Sequence, residues 1–182
     1  MEAEVLRPKE RISGSPATAW KASAEVELGR LYRDHRLSLV RLAVLLLGDQ
    51  EAAEDVVQDV FARLYGGRAP EEISLAYVRT CVLNGSRSLL RRRKMVSRSM
   101  ERDGGARAES AEVSTLLGEE RREMLTALGR LPRRQRETLV LRYYLDLSDA
   151  EISQVMRIRE GTVRSTVARA LARLQKELEG NA

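Results

Sequence analysis

Ser148-Asp149-Ala150-Glu151-Ile152-Ser153-Gln154-Val155-Met156-Arg157-Ile158-Arg159-Glu160-Gly161-Thr162-Val163-Arg164-Ser165 reads as two helices joined by a tight turn. Ser148 stands at an N-cap with Glu151 three residues later, a capping box set directly before the apolar Ile152 and Val155. Past Met156, Glu160-Gly161-Thr162-Val163 opens a second helix, and Val163, Val167, Ala170, Leu171 and Leu174 line one of its faces. The other face offers Thr162, Arg164, Ser165, Thr166 and Arg169. A short helix, a tight turn and a second helix with one apolar and one Arg/Ser/Thr face is the layout of a helix-turn-helix. Hydroxyls near a helix N-terminus can hold phosphate with help from the dipole, and Arg164 or Arg169 can reach guanine edges or phosphates. The plain alternative is a helical hairpin with a solvated polar face. The capping box, the turn length and the small Gly161 favour DNA.

Upstream, helical periodicity is present at about Glu119–Leu128 and Pro132–Tyr144, and the last helix runs from Glu160 to about Leu178. These segments form a C-terminal domain over 119–182. Residues 96–118, with Gly104-Gly105, several Ser and alternating charge, read as a linker. About 23 such residues span at most ~75 Å at ~3.3 Å each. Residues 25–95 form a second helical domain. Leu28, Leu31, Tyr32, Leu39, Leu42, Ala43 and Leu46 follow helical spacing, and Gly48 closes that helix. Asp49 caps a helix carrying Ala53, Val56, Val57, Val60, Phe61 and Leu64, ended by Gly66-Gly67. A third helix runs from about Leu75 to Lys94 with Val78, Cys81, Val82, Leu89 and Leu90 on its apolar side. Residues 1–24 mix Pro, Gly and Ser with scattered charge and read as a flexible tail. No strand pattern competes, so the fold class is all-α, two small helical domains joined by a flexible linker.

Composition narrows the function. Of 182 residues, 32 are Lys or Arg and 27 are Asp or Glu, a net +5. Charge along the chain is uneven: 25–62 is acidic, whereas 63–94 and 119–182 are basic. A chain that changes sign within one region meets partners of opposite character. No apolar run approaches the length of a membrane span, and the N-terminus lacks the apolar stretch of a signal peptide. A single Cys rules out a disulfide framework and suits a reducing, cytoplasmic setting. With one Cys and one His, a zinc site of Cys/His ligands cannot be built. There is no Gly-rich phosphate loop, no nucleophile with a His base and no metal cluster, so no catalytic residues, cofactor or metal are expected and the chain reads as no enzyme.

Between Asp49 and Val60 stand five acids and no base. Glu51, Asp55 and Asp59 form one line along the helix, and like charges at that spacing destabilise it by a few tenths of a kcal/mol per pair. The helix dipole accounts for Glu51 but not for Asp59. The face therefore serves a basic protein partner or is a plain solvated surface. On the third helix, Tyr77 either stacks against bases or packs, while Arg87, Arg91, Arg92 and Arg93 suit phosphate contacts, which supply affinity without sequence information. Phe61 and Cys81 read as core residues, and His35 as structural or exposed.

Leu131-Pro132-Arg133-Arg134-Gln135-Arg136-Glu137-Thr138-Leu139-Val140-Leu141-Arg142-Tyr143-Tyr144, taken with Leu147 to Ile152 and Gly161 to Ser165, closely resembles region 4 of bacterial sigma factors of the extracytoplasmic-function group. Ala53-Glu54-Asp55-Val56-Val57-Gln58-Asp59-Val60-Phe61 resembles region 2.2 of the same sigma-70 family, and Ala76 to Arg87 with the following Arg91-Arg92-Arg93-Lys94 resembles regions 2.3 and 2.4. The resemblance covers some three quarters of the chain. It implies a sigma factor that binds core RNA polymerase and directs promoter-specific initiation. Asp55, Gln58 and Asp59 would dock on the β′ clamp helices, and the C-terminal domain on the β flap. Tyr77, Asn84, Arg87, Arg91, Arg92 and Arg93 would capture and open the −10 element, with Asn84 lining a pocket for an extruded base. Thr162, Arg164, Ser165 and Arg169 would face the −35 element. Arg157 stands where the family often has Gly, and Arg159 where it often has a capping Ser; both are assigned to −35 phosphates. An anti-sigma factor is a further partner consistent with the family, and no membrane insertion is implied. The alternative, a free-standing dimeric helix-turn-helix regulator, assigns no role to the acidic helix or to the basic one.

Overall fold

The structure, a computed structural model, describes residues 16–68, 73–102 and 118–180. Every regular element among them is helical. The first helix, α1, spans Pro16–Leu47. It starts eight residues before the expected Ala24, because proline suits the first helical position and Ala17 and Ala19 favour continuing the turn. The rest of the expected tail, residues 1–15, lies outside the described residues. Leu28, Leu31, Leu39, Leu42, Ala43 and Leu46 are buried along one stripe. Gly48 ends the helix at φ +73, and its amide donates to the Val44 carbonyl at 2.7 Å.

Asp49 caps α2 (Gln50–Arg63): its Oδ1 accepts from the Ala52 amide at 3.0 Å. The apolar stripe expected here, Ala53 through Leu64, is buried throughout. Phe61 packs edge-on against Tyr32 with ring centroids 4.9 Å apart. Gly66-Gly67 does not stop the helical path, which instead widens into a π-turn over Leu64–Arg68. Residues without a Cβ tolerate that change of winding. The third helix, α3 (Leu75–Arg102), starts with Ser74 Oγ accepting from the Tyr77 amide at 3.2 Å. It runs eight residues past the expected end at Lys94 and into the stretch read as linker, since no glycine interrupts it before Gly104. Residues 103–117 of that stretch lie outside the described residues. Gly85 lets α3 approach α2, for a Cβ there would lie 3.0 Å from Val56 Cγ1.

The second half contains α4 (Glu119–Arg130), α5 (Arg133–Leu139), α6 (Asp149–Met156) and α7 (Glu160–Glu179). A π-turn over Val140–Tyr144 completes what reads as one helix in the sequence. The capping box forms as expected. The Glu151 amide donates to Ser148 Oγ at 3.3 Å and the Ser148 amide donates to Glu151 Oε2 at 2.8 Å. Arg157 takes the left-handed conformation at φ 54, and Arg159 makes no side-chain cap bond. The phase of α7 differs from expectation in two places. Thr166, placed on the polar face, is 8% exposed, and Leu171, placed on the apolar face, is 41% exposed. The helix is held from two sides, by α6 and by α4 with α5, so its buried arc is rotated from the simple stripe.

The two halves lie against each other. Val140, Leu141, Ile152 and Val163 share one apolar cluster with residues of α1, α2 and α3. Among the described residues, polar bridges cross between the halves at Arg87, Arg136 and Tyr144, and Arg87 Nη2 also donates to the Val155 carbonyl at 3.4 Å. Arg87 pairs with buried Glu137, its Nε donating to Oε1 at 2.8 Å. Arg136 Nη1 donates to the Leu46 carbonyl at 2.8 Å, and the Tyr144 hydroxyl donates to the Ser38 carbonyl at 2.8 Å. Burial lowers the Arg136 pKa and raises that of Tyr144.

Candidate functional site

On the outer face of α2, Asp55, Gln58 and Asp59 are exposed. Neither Asp55 nor Asp59 has an ion-pair partner among the described residues. Glu54 differs, receiving Gln50 Nε2 at 2.6 Å and facing Arg36 at 3.8 Å. Asp49, at the cap, is engaged by Arg93 at 2.9 Å. Burial would raise the Asp49 carboxyl, yet bonds from the Ala52 amide and Arg93 hold it below its ordinary value. The free acids thus sit away from the cap, where the dipole gives them no support.

Across α3 the six expected residues separate. Arg91 and Arg92 are exposed, with Arg91 Nη2 resting on Ser88 Oγ at 3.0 Å. Arg93 is tied to Asp49, and Arg87 is turned toward Glu137 while its Nη1 donates to Asn84 Oδ1 at 3.1 Å. Tyr77 and Asn84 line a pocket of about 260 Å³ between the end of α2, the π-turn and α3. Cys81 is half-buried, packed against the core cluster on one side and lining this pocket on the other. Burial pushes the Cys81 thiol up, opposed by the Tyr77 hydrogen bond and the nearby Arg63 charge. Burial also raises the Tyr77 pKa, with Cys81 adding to it. Arg63 and Ser88 belong to this pocket too. No spacing rule links residues 63 and 88, which only the packing of α2 on α3 brings together.

On α7, Thr162, Arg164, Ser165 and Arg169 are all exposed on the solvent side. Ser165 Oγ donates to the Thr162 carbonyl at 3.1 Å, Arg169 Nε donates to the Ser165 carbonyl at 3.1 Å, and Arg164 faces Asp149 at 3.5 Å. These local bonds set the side chains in a row along the start of the helix. Arg159 is exposed beside them. Arg157 instead borders a cleft of about 860 Å³ between the halves, together with Arg87, Arg91, Arg133 and Arg134. Sequence reading missed Arg133 and Arg134, whose place in the cleft follows from the contact between the halves.

Among the described residues no group of three or more His, Cys, Asp or Glu is placed to hold a metal, and no helix is long and apolar enough to cross a membrane.

Comparison with known proteins covers both halves in order. The profile of Sigma-70 region 2 matches residues 31–95, and that of Sigma-70, region 4 matches residues 121–174. The RNA polymerase sigma-E factor of Streptomyces antibioticus is 34% identical over 162 residues, covering 87% of this chain and 88% of that protein. The ECF RNA polymerase sigma factor SigM of Mycobacterium tuberculosis is 31% identical over 173 residues, covering 93% and 86%. In structure, the chain is similar to the sigma factor RpoE of Bartonella quintana, solved in complex with the anti-sigma factor NepR. That match has a TM-score of 0.65 and 25% identity, with 82% of this chain and 97% of that one covered. CnrH, solved with the cytosolic domain of CnrY, shares the fold at a TM-score of 0.60 and 22% identity, covering 91% and 96%.

Proposed function

The chain belongs to the sigma-70 family, among its extracytoplasmic-function RNA polymerase sigma factors, and on that premise we propose how its surfaces divide the work of transcription initiation. Sigma factors are initiation factors and not themselves enzymes. Asp55, Gln58 and Asp59 dock on the β′ clamp helices of cytoplasmic core polymerase, and the second half engages the β flap. Tyr77 and Asn84 meet the opened −10 element, Asn84 through its amide on the edge of an extruded base. Arg87, Arg91, Arg92 and Arg93 hold phosphates there. Thr162, Arg164, Ser165 and Arg169 read duplex −35 in the major groove, with Arg157 and Arg159 on its backbone. An anti-sigma factor competes for these surfaces.

The observation that supports this reading best is the acidic face of α2, where Asp55 and Asp59 have no ion-pair partner among the described residues, beside the basic α3. An autonomous DNA-binding regulator has no use for such a face. Promoter elements two helical turns apart lie ~70 Å from each other, so the halves part on the promoter. Arg87 then exchanges Glu137 for phosphate, and the covalent link makes the second DNA contact intramolecular once the first has formed.

The test is Asp55→Arg with Asp59→Arg in the full chain. Both sites are exposed, so the thermal melt should not move. Binding to core polymerase should fall by at least about a hundredfold, as expected for reversing two charges at a steered interface. Unchanged binding by a folded double variant overturns the docking assignment.

A further inference from the structure

Resting on the reading that α3 meets an extruded base, we infer that Arg63 selects that base, favouring cytosine or guanine over adenine or thymine. Arg63 ends α2 and lines the 260 Å³ pocket together with Asn84 and Ser88. Its Nε is spent on the Asp59 carbonyl at 3.0 Å. Among the described residues no carboxylate pairs with it, although Asp59 stands one turn back. Nη2 instead lies 4.0 Å from the point a Cβ on Gly85 would occupy, so the fork faces into the pocket. The pocket's walls are Val60, Leu64 and Tyr77, apolar or aromatic surface suited to the flat face of a base and of no use to a phosphate.

The polar groups around this space are nearly all donors. Asn84 Oδ1 already accepts from Arg87, so the amide presents its NH₂. Ser88 Oγ already accepts from Arg91, so its hydroxyl proton is the free end. Arg63 adds a rigid fork that accepts nothing. A bidentate guanidinium contact needs two adjacent acceptors. Cytosine presents them at O2 and N3, and guanine at O6 and N7. In adenine the acceptors N1 and N7 flank the N6 amine, and in thymine O2 and O4 flank the N3 proton. Extrusion exposes every one of these edges, so the fork separates the two pairs of bases.

The test uses holoenzyme, the full chain with bacterial core polymerase. It selects from a pool of partly opened duplexes with a randomised single-stranded stretch, and bound molecules are sequenced. The wild type should enrich cytosine or guanine at one position by about tenfold, as one good bidentate pair gives. Arg63→Gln should flatten that position and leave the others unchanged. Arg63→Lys, which keeps the charge and loses the fork, should flatten it as well while retaining overall affinity. Retention of the preference in Arg63→Gln, or enrichment of adenine or thymine, overturns the inference. So does a uniform loss of affinity without change of preference, the mark of a phosphate contact. Holoenzyme that forms yet enriches no base in the opened stretch sinks the reading of α3 itself, and the inference with it.

Discussion

Arg157 shows what one residue can carry against its own interest. At φ 54 it occupies a conformation that costs an L-residue about 1–2 kcal/mol, in a turn where glycine would sit without strain. Its side chain borders the cleft between the halves, among four other arginines. Strain held at such a site points to a use for the side chain. Replacing Arg157 by Gly should therefore raise the unfolding free energy by about 1 kcal/mol and weaken promoter binding, with denaturant titration and holoenzyme binding as the readouts. A less stable glycine variant would contradict this account of the turn. Residues of this kind are legible from local rules, as Gly48 is at φ +73 and Arg157 at its turn. Arg63 is not, because its significance comes from a neighbour on another helix. Cys81 packs against the core as its spacing predicts and also lines the pocket: periodicity assigns a face, and only packing decides how far that face is covered.

At the scale of the element, α2 and α6 share a device, a carboxylate or hydroxyl cap that fixes where each helix begins. Hydrogen bonds from the Ser148 side chain and backbone lower the Glu151 pKa, and the Asp49 carboxyl is likewise lowered. The ordinary values are 3.8 for the Asp49 carboxyl and 4.5 for that of Glu151. On acidification the unfolded chain binds these protons first, so the stability they supply is complete above about pH 5 and is lost as pH falls through the lowered folded values. The gap in unfolding free energy between wild type and an Asp49→Asn, Glu151→Gln variant should therefore shrink between pH 5 and pH 3. A gap independent of pH would contradict the assignment. Caps are legible because their signal is local, and so are the buried stripes of α1 and α2. The π-turn over Leu64–Arg68 and the extension of α3 to Arg102 are not, since each continues a helical pattern past the place where a rule of thumb ends it. The π-turn over Val140–Tyr144 changes only the winding of a helix that the spacing does predict. Thr166, on the face whose spacing predicts exposure, is buried because α7 is packed from two sides.

At the scale of the whole molecule, contact between the halves is the feature that no sequence pattern announces. Among the described residues its polar part joins Arg87 to Glu137 and to the Val155 carbonyl, Arg136 to Leu46 and Tyr144 to Ser38. Hydrogen bonds contribute about 1 kcal/mol net each, and more where charge is involved. That polar part is a few kcal/mol, and the apolar cluster of Val140, Leu141, Ile152 and Val163 adds to it. A partner therefore has to set roughly 12 kcal/mol, that of a nanomolar complex, against the whole. The reach of the opened chain is shorter than composition alone indicates. With α3 helical through Arg102 and α4 starting at Glu119, the stretch between them spans at most about 55 Å fully extended, and the halves themselves must cover the rest of the ~70 Å between promoter elements.

The central claim is that this opened form works on polymerase, and one measurement tests it most directly. Purified chain is mixed with bacterial core RNA polymerase, the complex is isolated, and run-off transcription is carried out on a sheared genomic library. The account predicts stable association and new, discrete transcripts that core alone does not make. Failure to associate, with tight and salt-dependent binding to duplex DNA by the chain alone, would contradict it.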